Sequence, residues 1–398
     1  MKRSIAILGA GPIGLECLLR FRFAGWDADV YERGRVGENV LEWGHVRMFS
    51  PWRMNVSRAG LEVVSLGGTD RAALPTGSEY VSAYLNRLAA SPPLVGHVHT
   101  DTEVVAVSRG TLLKGEEIAS ETRNGPAFRI LLRDSRGERV VTAGVVIDAT
   151  GTFATPNFLG PGGIPAVGER TVEGVDYRLP DILGRDRARF AGCRTLVVGA
   201  GHSAATAVVA LEKLAGESGR TEVLWLTRSR EERPVKEVAD DPLPERARIA
   251  AAANRAAGDG EGWLERIPGA FLHDLAGRGG AYVVRVGEAD PEREITVDRV
   301  LALVGYRPDP TLARELQVQT CWATEGTYPL AAALLSQAGG ATDCLTAGTG
   351  LDAATLLHPE PGFFTLGAKS YGRNPNFLLQ MGFRQVEQLL GLLDPETV

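Results

Sequence analysis

Two short glycine runs carry most of the chemistry legible in this chain. Gly9-Ala10-Gly11-Pro12-Ile13-Gly14 is a G-x-G-x-x-G sequence set between an apolar run, Ser4 to Leu8, and a helical pattern, Pro12 to Ala24. The first glycine permits a tight turn, the second lets a pyrophosphate approach backbone N–H groups, and the third lets helix and sheet pack closely. Glu32 ends the next strand and stands where a carboxylate accepts the hydroxyls of an adenosine ribose. The second run, Gly199-Ala200-Gly201-His202-Ser203-Ala204, is a G-x-G-x-x-A variant, again between strand and helix. The strand after it leads into Thr227-Arg228-Ser229-Arg230. A carboxylate there would repel a 2′-phosphate, whereas a guanidinium binds one bidentately, so Arg228 points to NADPH over NADH. Arg230 and Arg233 read as members of a solvated charged loop.

The elements that must hold these turns follow the same grammar twice. Strand, glycine turn, helix and strand run from Ser4 to Tyr31, and again from Thr195–Val198 through a helix Ser203 to Leu214 to a strand Glu222 to Thr227. Between them Val104 to Val107, Phe128 to Leu132 and Arg139 to Thr142 read as an antiparallel meander, separated by Asn124-Gly125-Pro126 and Ser135-Arg136-Gly137. Val145 to Ala149 is a buried strand emptying into Thr150-Gly151, and Val300 to Val304 empties in the same way into Gly305-Tyr306-Arg307-Pro308-Asp309. Pro234 to Ala257 reads as a solvent-exposed helix, Ala332, Ala333 and Gly339-Gly340 as a flexible or surface region, and Met381 to Leu393 as a final helix.

Composition narrows the partners. The chain has 398 residues, 44% hydrophobic and 23% charged, enough for two or three ordinary globular domains. A net charge of −6 argues against nucleic acid and anionic membrane surfaces, both of which favour basic patches. No stretch has the apolar length of a membrane span. Met1-Lys2-Arg3 before an apolar run imitates a signal peptide, but Gly9, Gly11, Pro12 and Gly14 break the run, and a cytoplasmic protein is expected. Cys17, Cys193, Cys321 and Cys344 stand apart, so neither a zinc cage nor a redox dithiol is written here and no metal is expected.

Taken together, the N-terminal glycine turn with Glu32, Asp148-Ala149-Thr150-Gly151, Gly199 to Ala204 and Gly305 to Asp309 resemble the two-dinucleotide-binding-domain flavoproteins. That superfamily contains thioredoxin-reductase-like enzymes, flavin-containing monooxygenases and N-hydroxylating monooxygenases, and the resemblance runs nearly end to end. It implies an α/β fold of two Rossmann-like domains, the NADPH domain inserted in the FAD domain: FAD domain 1–170, NADPH domain 171–299, FAD domain again 300–398. By the same resemblance Gly9, Gly11, Pro12, Ile13, Gly14, Glu32, Thr150 and Gly151 would hold FAD, with Arg33, Trp43, Met48, Val105 and Gly367 joining the cofactor contacts. Gly199, Gly201, His202, Ser203, Ala204 and Arg228 would hold NADPH. Phe363 to Gly367 would reach the ribityl chain, and the helix near Gly382 would aim its N-terminus at the flavin.

Departures from the family pattern choose among its members. No C-x-x-C exists, which removes thiol–disulfide exchange. The family's Gly-Asp becomes Gly367-Ala368-Lys369, and the phenylalanine-glycine-histidine signature of flavin-containing and Baeyer–Villiger monooxygenases becomes Phe158, Gly160 and Ile164. A monooxygenase-like enzyme follows, in which reduced flavin and O2 form a C4a-(hydro)peroxide that oxygenates a small organic substrate. An NADPH-dependent reductase serving a protein or quinone acceptor, and a nucleotide-binding redox sensor, stay open beside it, as does a homodimeric assembly. His45 and Arg47, in the tryptophan-rich segment Glu42 to Trp52, could stabilise flavin or peroxide charge, or the tryptophans could be core and His45 a loop cap. Lys369, in Lys369 to Asn374, could meet substrate, or this could be a solvated surface loop. His97, His99, His273 and His358 read as isolated, and His202 as facing phosphate or solvent.

Overall fold

The computed structural model describes residues 3–259, 262–337 and 352–394. Gly339, Gly340 and Cys344, like Met1 and Lys2, lie outside them. The chain divides into two compact units, Met1–Thr155 with Arg307–Val398, and Pro156–Tyr306.

The first unit is built on a parallel sheet in the strand order Phe363–Thr365, Val145–Asp148, Ser4–Leu8, Asp27–Tyr31, Val98–His99. Ile5 to Leu8 and Val145 to Ile147 are buried on both faces, which is why they read as continuous apolar runs and not as alternation. One face carries the helices Pro12–Phe23 and Leu379–Leu393; the other carries the meander Glu103–Arg109, Phe128–Asp134 and Gly137–Ala143, packed through Leu8, Tyr31, Phe128 and Phe363. The first helix has Pro12 at its start, where a missing N–H costs nothing. It ends on Gly25 at φ +76°, with Gly25 N–H donating to Arg22 O and Trp26 N–H to Phe21 O. The final helix begins at Leu379, two residues earlier than the sequence pattern suggests.

Glu16 lies inside that first helix with only 3% exposure, accepting a 2.5 Å hydrogen bond from Ser57 Oγ. Burial raises its carboxyl to about 7, against the lowering effects of Ser57 and Arg20. The folded protein therefore keeps the proton through a range where the unfolded chain, titrating near 4.5, has lost it. Stability from this group is complete below the unfolded value and drains away as pH rises to about 7, by on the order of 3 kcal/mol. Glu16→Gln should flatten the dependence of urea midpoint on pH between 5 and 8. An unchanged slope would assign it elsewhere.

The second unit repeats the parallel grammar, in the order Leu264–Pro268, Glu222–Thr227, Arg194–Val198, Arg299–Ala302. It adds a second antiparallel meander, Phe271–Arg278, Ala281–Gly287 and Arg293–Val297, which no expectation above covers. The unit boundaries fall after 155 and 306, whereas the sequence reading places them after 170 and 299. Residues 156–170 belong to the second unit because the Glu169 carboxylate gathers the N–H groups of Leu159 and Ala166 and the Tyr177 hydroxyl. Residues 300–302 belong there because they pair with Leu196 to Val198.

The helix expected over Pro234 to Ala257 spans only Pro244–Asp259, and it is not solvent-exposed throughout: Ile249, Ala250, Ala253 and Ala256 are buried. Before it, the Asn254 amide holds Val235 by both its N–H and its carbonyl at 2.9 Å, keeping that stretch out of the helix. Ala332 and Ala333, read as flexible or surface, lie in the helix Tyr328–Gln337, with Ala332 on its exposed side. No helix among the described residues is long and apolar enough to cross a membrane.

Candidate dinucleotide sites

The two glycine turns are built by the same rules. Gly9 has φ +95° and Gly199 φ +121°, a region that favours glycine. A Cβ on Gly9 would sit 3.1 Å from Ala149 O, and one on Gly199 2.3 Å from Leu303 O, in each case the carbonyl just beyond a neighbouring parallel strand. Gly9 N–H donates to Tyr31 O and Gly199 N–H to Leu226 O, so each turn is tied to the strand end that delivers Glu32 or Arg228. The third position must be small in both: a Gly14 Cβ would lie 1.9 Å from Gly9 O, and Ala204 is wholly buried.

The middle glycines differ from their neighbours. Nothing lies within 4 Å of a Cβ built on Gly11 or Gly201, so each turn leaves a space beside backbone N–H groups. Each is also the N-cap of its helix, Pro12–Phe23 or His202–Glu217, with no side-chain cap and no acidic residue in the first turn. An uncapped helix start beside an empty glycine face favours an anion. The residues present therefore fit a dinucleotide pyrophosphate at each turn.

Around the first turn the structure gathers many of the sequence-predicted residues. Glu32 accepts from Ala10 N–H at 2.9 Å and Gly34 N–H at 3.0 Å, one bond on each oxygen, which fixes the carboxylate and leaves lone pairs for ribose hydroxyls. Thr102 N–H donates to Glu32 O, bringing the bulge at Val105 to the same end of the sheet as exposed Arg33. Thr150 backs onto Gly9, and Gly151 has φ +71° with open space on its Cβ side. Gly367, at φ +73°, and Gly382, in the first turn of the last helix, both close on Ile13. The Gln385 amide accepts from Gly367 N–H and donates to Ser370 Oγ, locking this corner.

Lys369 is the least expected member. Far from a solvated loop, Lys369 to Gly372 is buried, and Lys369 Nζ donates to Asp148 Oδ2 at 2.6 Å and to Thr150 Oγ1 at 3.0 Å. Asp148 Oδ1 in turn accepts from Thr150 N–H and Oγ1. Asp148 is 1% exposed, so this is a desolvated ion pair whose partners stand 221 residues apart. That separation is why no local signal announces it. His358 joins the same edge: its Nε2 meets Thr365 Oγ1 at 3.2 Å, its Nδ1 is buried without a partner, and burial lowers it to about 4.

The tryptophan-rich segment is held by a stretch that follows it in the chain. It zips onto 74–78 through Met48 N–H to Pro75 O, Gly77 N–H to Val46 O and Arg47 Nη1 to Leu74 O, with Arg47 on the exposed side. Trp52 is core, and Trp43 and Met48 pack partly buried against it. His45 Nε2 is buried without a hydrogen-bond partner. His97 and His99, read as isolated, share Asp29 Oδ1 at 3.0 and 3.1 Å.

At the second turn Ser203 is exposed and Arg228 projects, exposed, from the strand end. His202, expected to face phosphate or solvent, opens its helix partly exposed. It is half-buried near the bidentate Arg246–Asp241 pair, and burial with the Arg246 cation lowers its imidazole below the ordinary range. Among the described residues no cluster of His, Cys, Asp or Glu has the makings of a metal site.

Two Rossmann-like units, each with an anion-ready glycine turn, define a dinucleotide-binding α/β oxidoreductase architecture. The chain belongs to the pyridine nucleotide-disulphide oxidoreductase family, which it matches over residues 6–331. It is thereby an enzyme of the two-dinucleotide-binding-domain flavoprotein class. Among solved structures it is similar to the bacillithiol disulfide reductase Bdr of Bacillus cereus, at 18% identity over 100% of both chains with a TM-score of 0.70. It is also similar to the thioredoxin reductase of T. acidophilum, at 16% identity over 100% of both chains with a TM-score of 0.62. The ornithine N-hydroxylase of Kutzneria sp. 744 matches at 15% identity over 99% of both chains with a TM-score of 0.63. Comparison with curated proteins found no match.

Proposed function

We propose that this protein is an FAD-dependent, NADPH-using monooxygenase that oxygenates a small organic substrate. FAD is assigned to the turn Gly9 to Gly14 with Glu32, and NADPH to Gly199 to Ala204 with Arg228. Bound FAD would supply hydride acceptance and the reaction with O2. The protein's own part is to bind, orient and exclude water. Lys369, with one of its three N–H donors still available beside Thr150, would hold an oxygen of cofactor or substrate, while Asp148 keeps its charge compensated.

The observation that carries the choice of reaction is where the cysteines lie. A disulfide reductase that works through a redox dithiol needs two sulfurs beside the ring, one of them a ready thiolate. Cys17, nearest in sequence to the first turn, is wholly buried in its helix with its thiol pushed up by burial. Cys193 belongs to the other unit, and Cys321 lies in the turn before Glu325. Among the described residues no two cysteines form a pair.

The decisive measurement reduces the enzyme with NADPH without oxygen, then admits oxygen together with a panel of amines, thioethers and ketones. Product matching the NADPH consumed is the expected result. Complete diversion to hydrogen peroxide across the panel, with rapid anaerobic turnover on a quinone or protein carrier, would replace the monooxygenase by a reductase. For cofactor choice, Arg228→Ala should weaken NADPH binding by ~1.5–3 kcal/mol and leave NADH nearly untouched, as for loss of a charge-assisted hydrogen bond. Equal losses for both nucleotides would remove the assignment.

A further inference from the structure

We infer that Arg266 is a positioning residue for nucleotide choice, folding the loop 228–232 so that Arg228 is presented to the 2′-phosphate of NADPH. The inference rests on the nucleotide assignment above and deepens it.

Arg266 stands on the strand Leu264–Pro268, whose Pro268 lies opposite Thr227 at the end of the neighbouring strand. Its Nε donates to Thr227 Oγ1 at 3.2 Å, its Nη1 to Glu232 O at 3.2 Å, and its Nη2 to Ser229 O at 3.0 Å and Glu231 O at 2.6 Å. Four of the five N–H donors of a guanidinium are thus spent on one short loop. Three carbonyls drawn from four consecutive residues converge on a single planar cation. An extended strand cannot do this, so the chain must curl at the point where Arg228 leaves the sheet.

The curl has an electrostatic consequence. Carbonyl dipoles aimed at Arg266 are not aimed at a phosphate approaching the loop, and the repulsion they would exert is removed. The two neighbouring arginines are engaged: Arg230 pairs with Glu288 and lies against Gly269, while Arg233, just past the loop, pairs with Glu237 at 2.6 Å. Arg228 is exposed and, among the described residues, has no carboxylate partner. The arrangement leaves one guanidinium for an anion and spends a second on shaping the loop. Lysine could not replace Arg266, because a point charge on a flexible stem cannot reach four acceptors in one plane.

The test compares the ratio of kcat/KM for NADPH to that for NADH in the full-length FAD-loaded enzyme and four variants: Arg266→Met, Arg266→Lys, Thr227→Val and Arg228→Ala. Arg266→Met should lower the ratio about tenfold or more, the size expected when a hydrogen-bonded loop anchor is lost. Arg266→Lys should not restore it, and kcat/KM for NADH and the flavin content should stay near wild type. Thr227→Val removes the Nε acceptor together with the hydrogen bond from Thr227 Oγ1 to Ser229 O, leaves the three carbonyl contacts of Arg266 in place, and should move the ratio in the same direction by about threefold. A purely structural role would lower both nucleotides together. A wild-type ratio in Arg266→Met, with the ratio collapsed in Arg228→Ala, would overturn the positioning role while keeping the nucleotide assignment. A wild-type ratio in Arg228→Ala would overturn both. Should Arg266→Met fail to fold, Thr227→Val decides, and an unchanged ratio there overturns the proposal.

Discussion

Glu360→Ala should destabilise the first unit by about 3–5 kcal/mol, the cost of breaking a buried ion pair by removing one partner. Glu360 is 1% exposed and receives two guanidinium groups: Arg109 Nε at 2.9 Å, and Arg123 through Nε and Nη2, the latter at 2.8 Å. Gln317 N–H adds a fourth donor group at 2.8 Å. Burial pushes the Glu360 carboxyl up, but Arg123, Gln317 and Arg109 together hold it below its usual range. By linkage the stability it provides is present above the unfolded carboxylate value and is lost as pH falls through the folded one. Removing the carboxylate strands two desolvated cations, one of them stacked 3.6 Å over the Phe128 ring. Urea unfolding near pH 7 reads the loss directly. The triple change Arg109→Met, Glu360→Leu, Arg123→Met should recover most of it, since replacing a whole buried ionic group by apolar side chains is often near neutral. Equal stability of wild type and Glu360→Ala would mean that water reaches the cluster.

The second large effect is expected at Lys369. Lys369→Met leaves Asp148 buried with only Thr150 to compensate it, and a loss of about 3–5 kcal/mol follows by the same reasoning. Unlike the Glu360 change, this one bears on the nucleotide corner, because Thr150 takes hydrogen bonds from Lys369, gives them to Asp148 and backs onto Gly9. Flavin retention through gel filtration should therefore fall together with stability. Lys369→Met combined with Asp148→Asn should restore stability more than flavin affinity, since it removes the stranded charge and not the missing donor. Recovery of both to wild type would reduce Lys369 to a partner for Asp148 and nothing more.

How much of this was readable in the chain depends on the range of the signal. The glycine turns, the strands that enter them and the first meander are announced by glycine, proline and alternation within a few residues, and they stand where the pattern puts them. The second meander carries a signal of the same kind, Gly279-Gly280 before the alternating burial of Val284 to Val286, but it is short and follows an alanine-rich helix. What no local pattern can show is pairing across the inserted unit. Lys369 looks like a loop lysine until Asp148 is placed beside it, and Arg266 looks like a strand surface residue until the carbonyls of 229, 231 and 232 turn toward it. The start of the helix near residue 244 was hidden for a related reason. Asn254 reaches back to Val235, and that contact exists only once the helix has formed.

Glu360 follows Arg109 by 251 residues and Arg123 by 237, and all of Pro156–Tyr306 comes between. During synthesis, the ribosome delivers both arginines long before it delivers the acid that neutralises them. The intervening segment, which owns complete sheets of its own, is free to settle in that interval. The outer portion cannot complete this cluster until its tail is made, and a premature stop before residue 360 would leave the first half with two cations and no carboxylate to receive them.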